Sequence, residues 1–354
     1  MTVVRIRGRA LPDGEPVDLR SDGDRWATGP APGAETVIEG WLLPGLVDAH
    51  THPGIAEGNG APFDTDLLRA DLNRHLDAGV TAVRVPGLPE DPPSWFGTDP
   101  ALPRGWWAGR WITQHGQYFD GWARRLDHAQ MAEAAAEQAR RSGWVKVVAD
   151  WVHEGNAIPV DVLTAMVEAV HAAGGRIAVH SMHESGCAAA VEAGVDSLEH
   201  GMGLDPRLLA RMAAQGTALT PTLTMVQAPA EDIRAHAPHG APRDWYLQGA
   251  DAHPELVVRA VEAGVTLLAG TDSRPHGRIA DEIHSLVRAG VRPHDALAAA
   301  SWAARSWLGL PGLVPGAPAD AVVYDTDPRT DLSVLDRPAA VVLRGAVVRT
   351  AVPR

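Results

Sequence analysis

Six side chains spread over more than two hundred residues have the types and settings of metal ligands: His50, His52, Lys146, His180, His200 and Asp272. His50 and His52 stand two apart at the end of the apolar run Leu46–Thr51. In a strand that spacing turns both imidazoles to one face, and two imidazoles aimed at one point suit a divalent ion. His180 ends the run Arg176–His180, His200 follows Ser197–Glu199, and Asp272 follows Thr266–Ala269. Each alone has a plainer explanation: a chance pair, a hydrogen-bonded core histidine, or an aspartate capping the next helix. Together, at the same end of successive strands, they are hard to obtain by accident.

Lys146 stands out by composition. Of 31 basic residues it is the one lysine; the others are arginines. A chain that replaces lysine by arginine wherever a plain positive charge suffices keeps a lysine where arginine cannot serve. Lysine can lose its proton and act as a nucleophile or ligand, whereas arginine stays charged. Its setting, Trp144-Val145-Lys146-Val147-Val148-Ala149, reads as a buried strand rather than a solvated face.

The elements needed to position these residues are legible around them. Eight short apolar runs recur: Leu46–Thr51, Thr81–Val85, Arg110–Thr113, Trp144–Ala149, Arg176–His180, Ser197–Glu199, Ala218–Thr222 and Thr266–Ala269. Helical patterns separate most of them, over Asp64–Ala78, Asp127–Arg141, Pro159–Ala172, Glu184–Ala193, Asp205–Ala214, Pro254–Ala263 and Ile279–Ala289. Many end in an Ala-Gly-Val step, the chemistry of a helix C-cap leading into a strand. Eight strands alternating with helices predict an α/β fold, a (β/α)8 TIM barrel; a doubly wound open sheet is the alternative. Residues 1–45 and 313–354 show no helical period and read as short antiparallel strands, so the two termini are expected to form a composite β-sandwich beside a catalytic barrel of residues 46–312. A helical region over Pro293–Leu308 closes the barrel, and the stretches Pro86–Gly109 and Met225–Asp251 are expected to be active-site loops.

Composition limits the function classes. With 45% hydrophobic residues among 354, a large core is available. A net charge of −13 without a basic run argues against nucleic acid and anionic membrane as partners and leaves a small-molecule substrate. One cysteine, Cys187, no apolar leader and no long apolar stretch fit a cytoplasmic protein, and homo-oligomerisation stays open.

Four motifs carry a family likeness. Leu43-Pro44-Gly45-Leu46-Val47-Asp48-Ala49-His50-Thr51-His52 resembles the opening signature of the amidohydrolase superfamily. Val195-Asp196-Ser197-Leu198-Glu199-His200-Gly201, Ala269-Gly270-Thr271-Asp272 and Pro315-Gly316-Ala317-Pro318-Ala319-Asp320 resemble its imidazolonepropionase-like and prolidase-like branch, which includes enzymes of the Xaa-Pro and Xaa-Arg dipeptidase type. The resemblance implies two divalent metal ions, zinc first among candidates. His50, His52 and Asp272 would hold one, and His180 and His200 the other. Lys146 falls at the position where a CO2-derived carbamate bridges a binuclear site. The implied reaction is hydrolysis of a C–N bond of an amide, dipeptide or lactam by a metal-activated water, with Asp272 as proton carrier. Decarboxylation or ester hydrolysis on the same site, and a non-catalytic ligand-binding barrel, are the alternatives.

Substrate contacts are less sharply marked. His115 matches a pocket-facing position of that branch, and Tyr118 follows it in a loop that departs from the commoner glycine-rich form. Twelve tryptophans against three phenylalanines, with Trp95, Trp106, Trp107, Trp111, Trp122 and Trp151 near the third and fourth strands, suggest an aromatic wall, Trp111 among it; plain packing is the alternative. His153, His183 and His276 follow the fourth, fifth and eighth strands and could hydrogen-bond substrate, or be ordinary solvated loop histidines.

Overall fold

The computed structural model describes residues 3–31, 33–56, 60–151 and 156–350. Four strands open the chain: β1 (Val3–Ala10), β2 (Glu15–Asp22), β3 (Arg25–Ala27) and β4 (Glu35–Pro44). The barrel strands follow as β5 (Leu46–Asp48), β6 (Val80–Val85), β7 (Arg104–Trp107), β8 (Ile112–Gln114), then, after the short outer strand β9 (Arg124–Leu126), β10 (Trp144–Val148), β11 (Arg176–Ser181), β12 (Ser197–His200) and β13 (Ala218–Thr220). The helices are α1 (Thr65–Asp77), α2 (His128–Ser142), α3 (Val160–Ala172), α4 (Glu184–Ala193), α5 (Leu209–Gln215), α6 (Leu223–His236), α7 (Ala241–Glu262), α8 (Ile279–Ala289), α9 (Pro293–Ala300) and α10 (Trp302–Trp307). Strands β14 (Ala321–Tyr324), β15 (Ala340–Leu343) and β16 (Ala346–Thr350) end the chain.

The barrel strands pair in parallel, β5-β6-β7 on one arc and β8-β10-β11-β12-β13 on the other. The third stave is β7 and β8 in series: β7 pairs with β6, and β8 pairs with β10 through Ile112 and Val147. It therefore begins at Arg104, earlier than the expected Arg110, because the Ala108-Gly109-Arg110 break sits inside the stave. The eighth stave is nearly all backbone bonds. Leu219 N and Leu268 N donate to Thr266 O and Leu219 O on one side, and Ala49 N donates to Ala269 O on the other. These bonds close the ring and exclude the open sheet. Strands β5, β6, β10, β12 and β13 are buried along their whole length, as expected where helices cover one face and the barrel interior the other.

Two expectations need correction. Met225–Asp251 is a helical hairpin, α6 and α7, rather than a loop. Pro229 and Pro254 lie inside those helices and Pro242 opens α7. Prolines cost interior helix hydrogen bonds, so the pattern read as broken; packing of α6 on α7 and of both on the barrel outweighs that cost. The closing helix over 293–308 is two helices, broken at Ser301, whose hydroxyl donates to Pro44 O at 2.6 Å.

The terminal strands form one seven-stranded sheet in the order β16-β15-β14-β4-β1-β2-β3. It is not purely antiparallel: β1 and β4 run parallel. The sheet curls until Trp26 N and Gly316 N exchange bonds with Ala317 O and Trp26 O, enclosing a small core of Ile6, Leu19, Trp26, Leu42, Val323 and Val342.

Candidate metal centre

The barrel mouth opens at the C-terminal ends of the strands into a cavity of about 460 Å3. His50, His52, Lys146, His180, His200 and Asp272 all line it. Past the end of β5, His50 and His52 present their rings 5.2 Å apart, edge to face. Gly270 lets the eighth stave press against this segment: a Cβ there would stand 2.6 Å from that of His50. Asp272 is pinned by its N–H, which donates to His50 O at 2.8 Å.

Hydrogen bonds fix which nitrogen each histidine offers. His52 Nδ1 faces Gly87 O at 2.8 Å, and a carbonyl can only accept, so the proton is on Nδ1. His200 Nδ1 lies 2.8 Å from the Thr222 hydroxyl, which itself donates to Pro221 O, so His200 donates. His50 Nδ1 donates to Glu199 Oε2 at 2.6 Å. Burial alone would raise Glu199, yet Arg84 and Lys146 hold its carboxyl below the ordinary value. Arg84 reaches both Glu199 oxygens at 2.9 Å from inside the barrel. All three rings therefore turn a free Nε2 lone pair toward Asp272, at 3.8, 3.5 and 3.9 Å for His50, His52 and His200. Orienting partners on the far nitrogen are what metal-binding histidines need.

The electrostatics favour neutral ligands. Burial, with Lys146 adding to it, holds His50 and His180 well below the ordinary histidine range and His52 down to about 3. Burial pushes Asp272 up to about 7, opposed by Lys146, and Lys146 down to about 8, opposed by Glu199 and Asp272. Lys146 Nζ and His180 Nε2 are buried without a hydrogen-bond partner among the described residues. Buried polar atoms are nearly always satisfied, and two orphans beside three aimed imidazoles fit a cation-binding site. His50, His200 and Asp272 alone bring donor atoms within 4.8 Å of one another. Backbone strain gathers here as well: Thr222, Asp272 and His200 hold positive φ of 47°, 42° and 66°.

The substrate side of the cavity is aromatic. Trp111 and Trp122 stack at 5.3 Å, and Tyr118, Phe119 and Trp151 continue the wall, Trp151 reaching within 5.2 Å of the His180 ring. Trp111, Tyr118 and His276 are thus cavity residues. His115 is not: it points outward, two-thirds exposed, 3.3 Å from Asp127. The loop after β8 turns it away and carries Tyr118 inward at φ 59°. His183 stacks on Trp245 at 4.1 Å instead of lining the cavity, and His153 lies outside the described residues. Trp95 packs under Arg69, and Trp106 and Trp107 pack into the core.

Sequence reasoning missed Arg84, Glu199 and Thr222 as positioning groups, and Met182, Met225, Trp245, Tyr246 and Arg274 as lining. An arginine inside the strand Val80–Val85 was the one available signal: a charge buried there demands a partner.

The chain has relatives among known proteins, in sequence and in fold. The sequence profile of the amidohydrolase family matches residues 116–348. An uncharacterized protein of Mycobacterium tuberculosis is 40% identical over 357 residues, covering 97% of this chain and 95% of that protein. Ochratoxinase of Aspergillus niger is 32% identical over 174 residues, 47% of this chain and 35% of that enzyme. Among solved structures, a Xaa-Pro dipeptidase with methionine in its active site superposes with a TM-score of 0.84 at 20% identity, covering 98% of this chain and 99% of that one. With a family profile spanning most of the barrel and a full-length relative at this identity, the chain belongs to the amidohydrolase family and is an enzyme acting on C–N bonds.

Proposed function

We propose that the protein is a metal-dependent amidohydrolase that cleaves the amide bond of a small molecule with an activated water. His50, His52 and Asp272 would hold one divalent ion, His180 and His200 a second, and Lys146, as its carbamate, would be shared by both. The observation that carries this reading is the pair of orphaned buried nitrogens, Lys146 Nζ and His180 Nε2, beside three imidazoles whose outward nitrogens are already committed. A bound metal pair supplies Lewis acidity, acidifying a water and polarising a carbonyl.

The rest is the work of the chain. Burial keeps a fraction of Lys146 neutral near pH 8, as an amine must be to attack CO2; the N–C bond forms as an N–H proton leaves. Glu199, Gly87 and Thr222 keep three imidazoles in the tautomer that ligates. Asp272, whose backbone N–H donates to His50 O, would take a proton from the attacking water and return it to the departing amine. The aromatic wall excludes water from one side of the cavity.

Metal analysis tests the assignment. Zinc-replete protein should carry about two equivalents, and Lys146→Ala should lose most of the second. Asp272→Asn should retain substantial metal while kcat falls about a thousandfold. Metal-free wild-type protein after zinc loading, or an active Asp272→Asn variant, would end the proposal.

A further inference from the structure

We infer that Arg110 and Arg125 are positioning residues: they clamp the backbone of residues 117–123, and this clamp fixes the aromatic wall and so sets which apolar groups the cavity accepts. The clamp is read from contacts alone. Only its effect on turnover rests on the hydrolase reading.

The wall hangs on a loop with little support of its own. Tyr118, Phe119 and Trp122, three of the lining rings, lie between β8 and β9 in Gln117-Tyr118-Phe119-Asp120-Gly121-Trp122-Ala123, outside any helix or strand. Gly116 and Gly121 hold φ of 80° and 79°, which glycine adopts freely; Tyr118 holds 59°, which a bulky side chain adopts only under constraint. Such a backbone persists where its surroundings over-determine it.

Two guanidiniums supply that constraint. Arg110 Nε donates to Trp122 O at 3.1 Å, and its Nη2 donates to Gly121 O at 3.0 Å and Ala123 O at 3.1 Å. Arg125 Nε donates to Gln117 O at 2.9 Å and its Nη2 to Tyr118 O, while its Nη1 pairs with Asp120. Holding several carbonyls at once takes the planar fork of arginine, which the ammonium of lysine lacks. The two clamps come from either side of the loop, Arg110 from just before β8 and Arg125 from within β9.

The clamps set the rings. Arg110 precedes Trp111 in the chain, so by holding Trp122 O it brings one indole over the other; the two stack at 5.3 Å with 14° between their planes. Arg124 N donates to Trp111 O at 2.7 Å, and Trp122 Nε1 donates to Ala61 O at 2.9 Å, closing the other sides. Tyr118 then seats between Trp111 at 5.3 Å and Trp151 at 4.8 Å. Neither Arg110 nor Arg125 is on the cavity lining, so their effect on a ligand passes through the rings.

Spectroscopy and binding test this together. A stacked indole pair gives an exciton couplet in circular dichroism, assigned here as the part lost in Trp111→Phe. The probe is 2-naphthylmethanol, flat, neutral and uncleavable, titrated into zinc-treated protein. Arg110→Gln should lose the couplet, and both Arg110→Gln and Arg125→Gln should bind the probe about tenfold more weakly, at parental zinc content and melting temperature. Arg110→Lys should recover only part of either signal. In turnover, N-(2-naphthoyl)glycinamide should lose kcat/KM through KM in both variants, and N-acetylglycinamide should not. An unchanged affinity in both Gln variants, with or without the couplet, overturns the inference. So does an affinity that falls only together with zinc content and melting temperature, since the arginines would then be merely structural. A protein that behaves as expected toward the probe yet cleaves neither amide keeps the clamp and overturns the hydrolase.

Discussion

At the scale of single residues, the site divides into groups that meet a ligand and groups that aim them. Glu199 belongs to the second kind: it accepts from His50 on one side and from Arg84 and Ser197 on the other, wholly inside the barrel. Glu199→Gln should therefore weaken zinc affinity 10- to 100-fold, measured by chelator competition, with the proposed metal ligands themselves untouched. It also leaves the Arg84 guanidinium buried without a counter-charge, so stability should fall by about 3 kcal/mol in denaturant titration. Unaltered zinc affinity would show that the His50 tautomer does not depend on this carboxylate. The six proposed ligands were legible because histidine, a lone lysine and aspartate at strand ends are chemically conspicuous. Arg84 and Glu199 were not, because a pairing across four strands leaves no trace in spacing.

At the scale of elements, boundaries followed capping chemistry where it was local. Asp64 caps α1 by accepting from Asp66 N and Leu67 N, and Gly143 and Gly194 end α2 and α4 in the left-handed region, as the sequence pattern requires. Helix α6 and the first half of α7 were illegible because internal prolines oppose a preference that tertiary packing restores, whereas the second half of α7 was read as the helical pattern Pro254–Ala263. One bond shows what α7 contributes: His253, fully buried, donates from Nε2 to His200 O at 2.9 Å. Burial lowers His253 to about 4 from the ordinary 6.5. Between those pH values the unfolded chain takes up a proton that the folded protein refuses. The contribution of His253 to stability is thus complete above pH 6.5 and falls as the pH drops toward 4, by about 1.4 kcal/mol per unit and on the order of 3 kcal/mol in all. Unfolding free energies of wild type and His253→Gln, compared at pH 7 and pH 5, should show this loss: the variant, which can still donate to His200 O, should shift the slope by about one proton. An unchanged slope would assign the acid sensitivity to other buried histidines.

At the scale of the whole molecule, the question is what joins the terminal sheet to the barrel. The Pro315–Asp320 motif was read only as a family likeness, with no role to give its aspartate, since its partners lie hundreds of residues away. In the structure Asp320 is a buried hub. It accepts from Arg104 Nε at 2.7 Å, from Arg305 at 3.2 Å and from Arg344 N at 3.0 Å, tying the third stave, α10 and the β15–β16 turn together. Burial would raise its carboxyl, but Arg104 and Arg305 hold it below the usual value. The hub sits at the N-terminal end of the strands, opposite the cavity, where a residue of this fold serves stability rather than chemistry. Asp320→Asn strips the counter-charge from two arginines, one of them almost fully buried. Because breaking a buried pair strands the surviving charge, the variant should lose about 3–5 kcal/mol of stability. Its folded fraction should keep the zinc stoichiometry and KM of the parent. A variant of parental stability would show that the sheet is held by its apolar contacts alone, and a lost metal site would show that the two ends of the barrel are not independent.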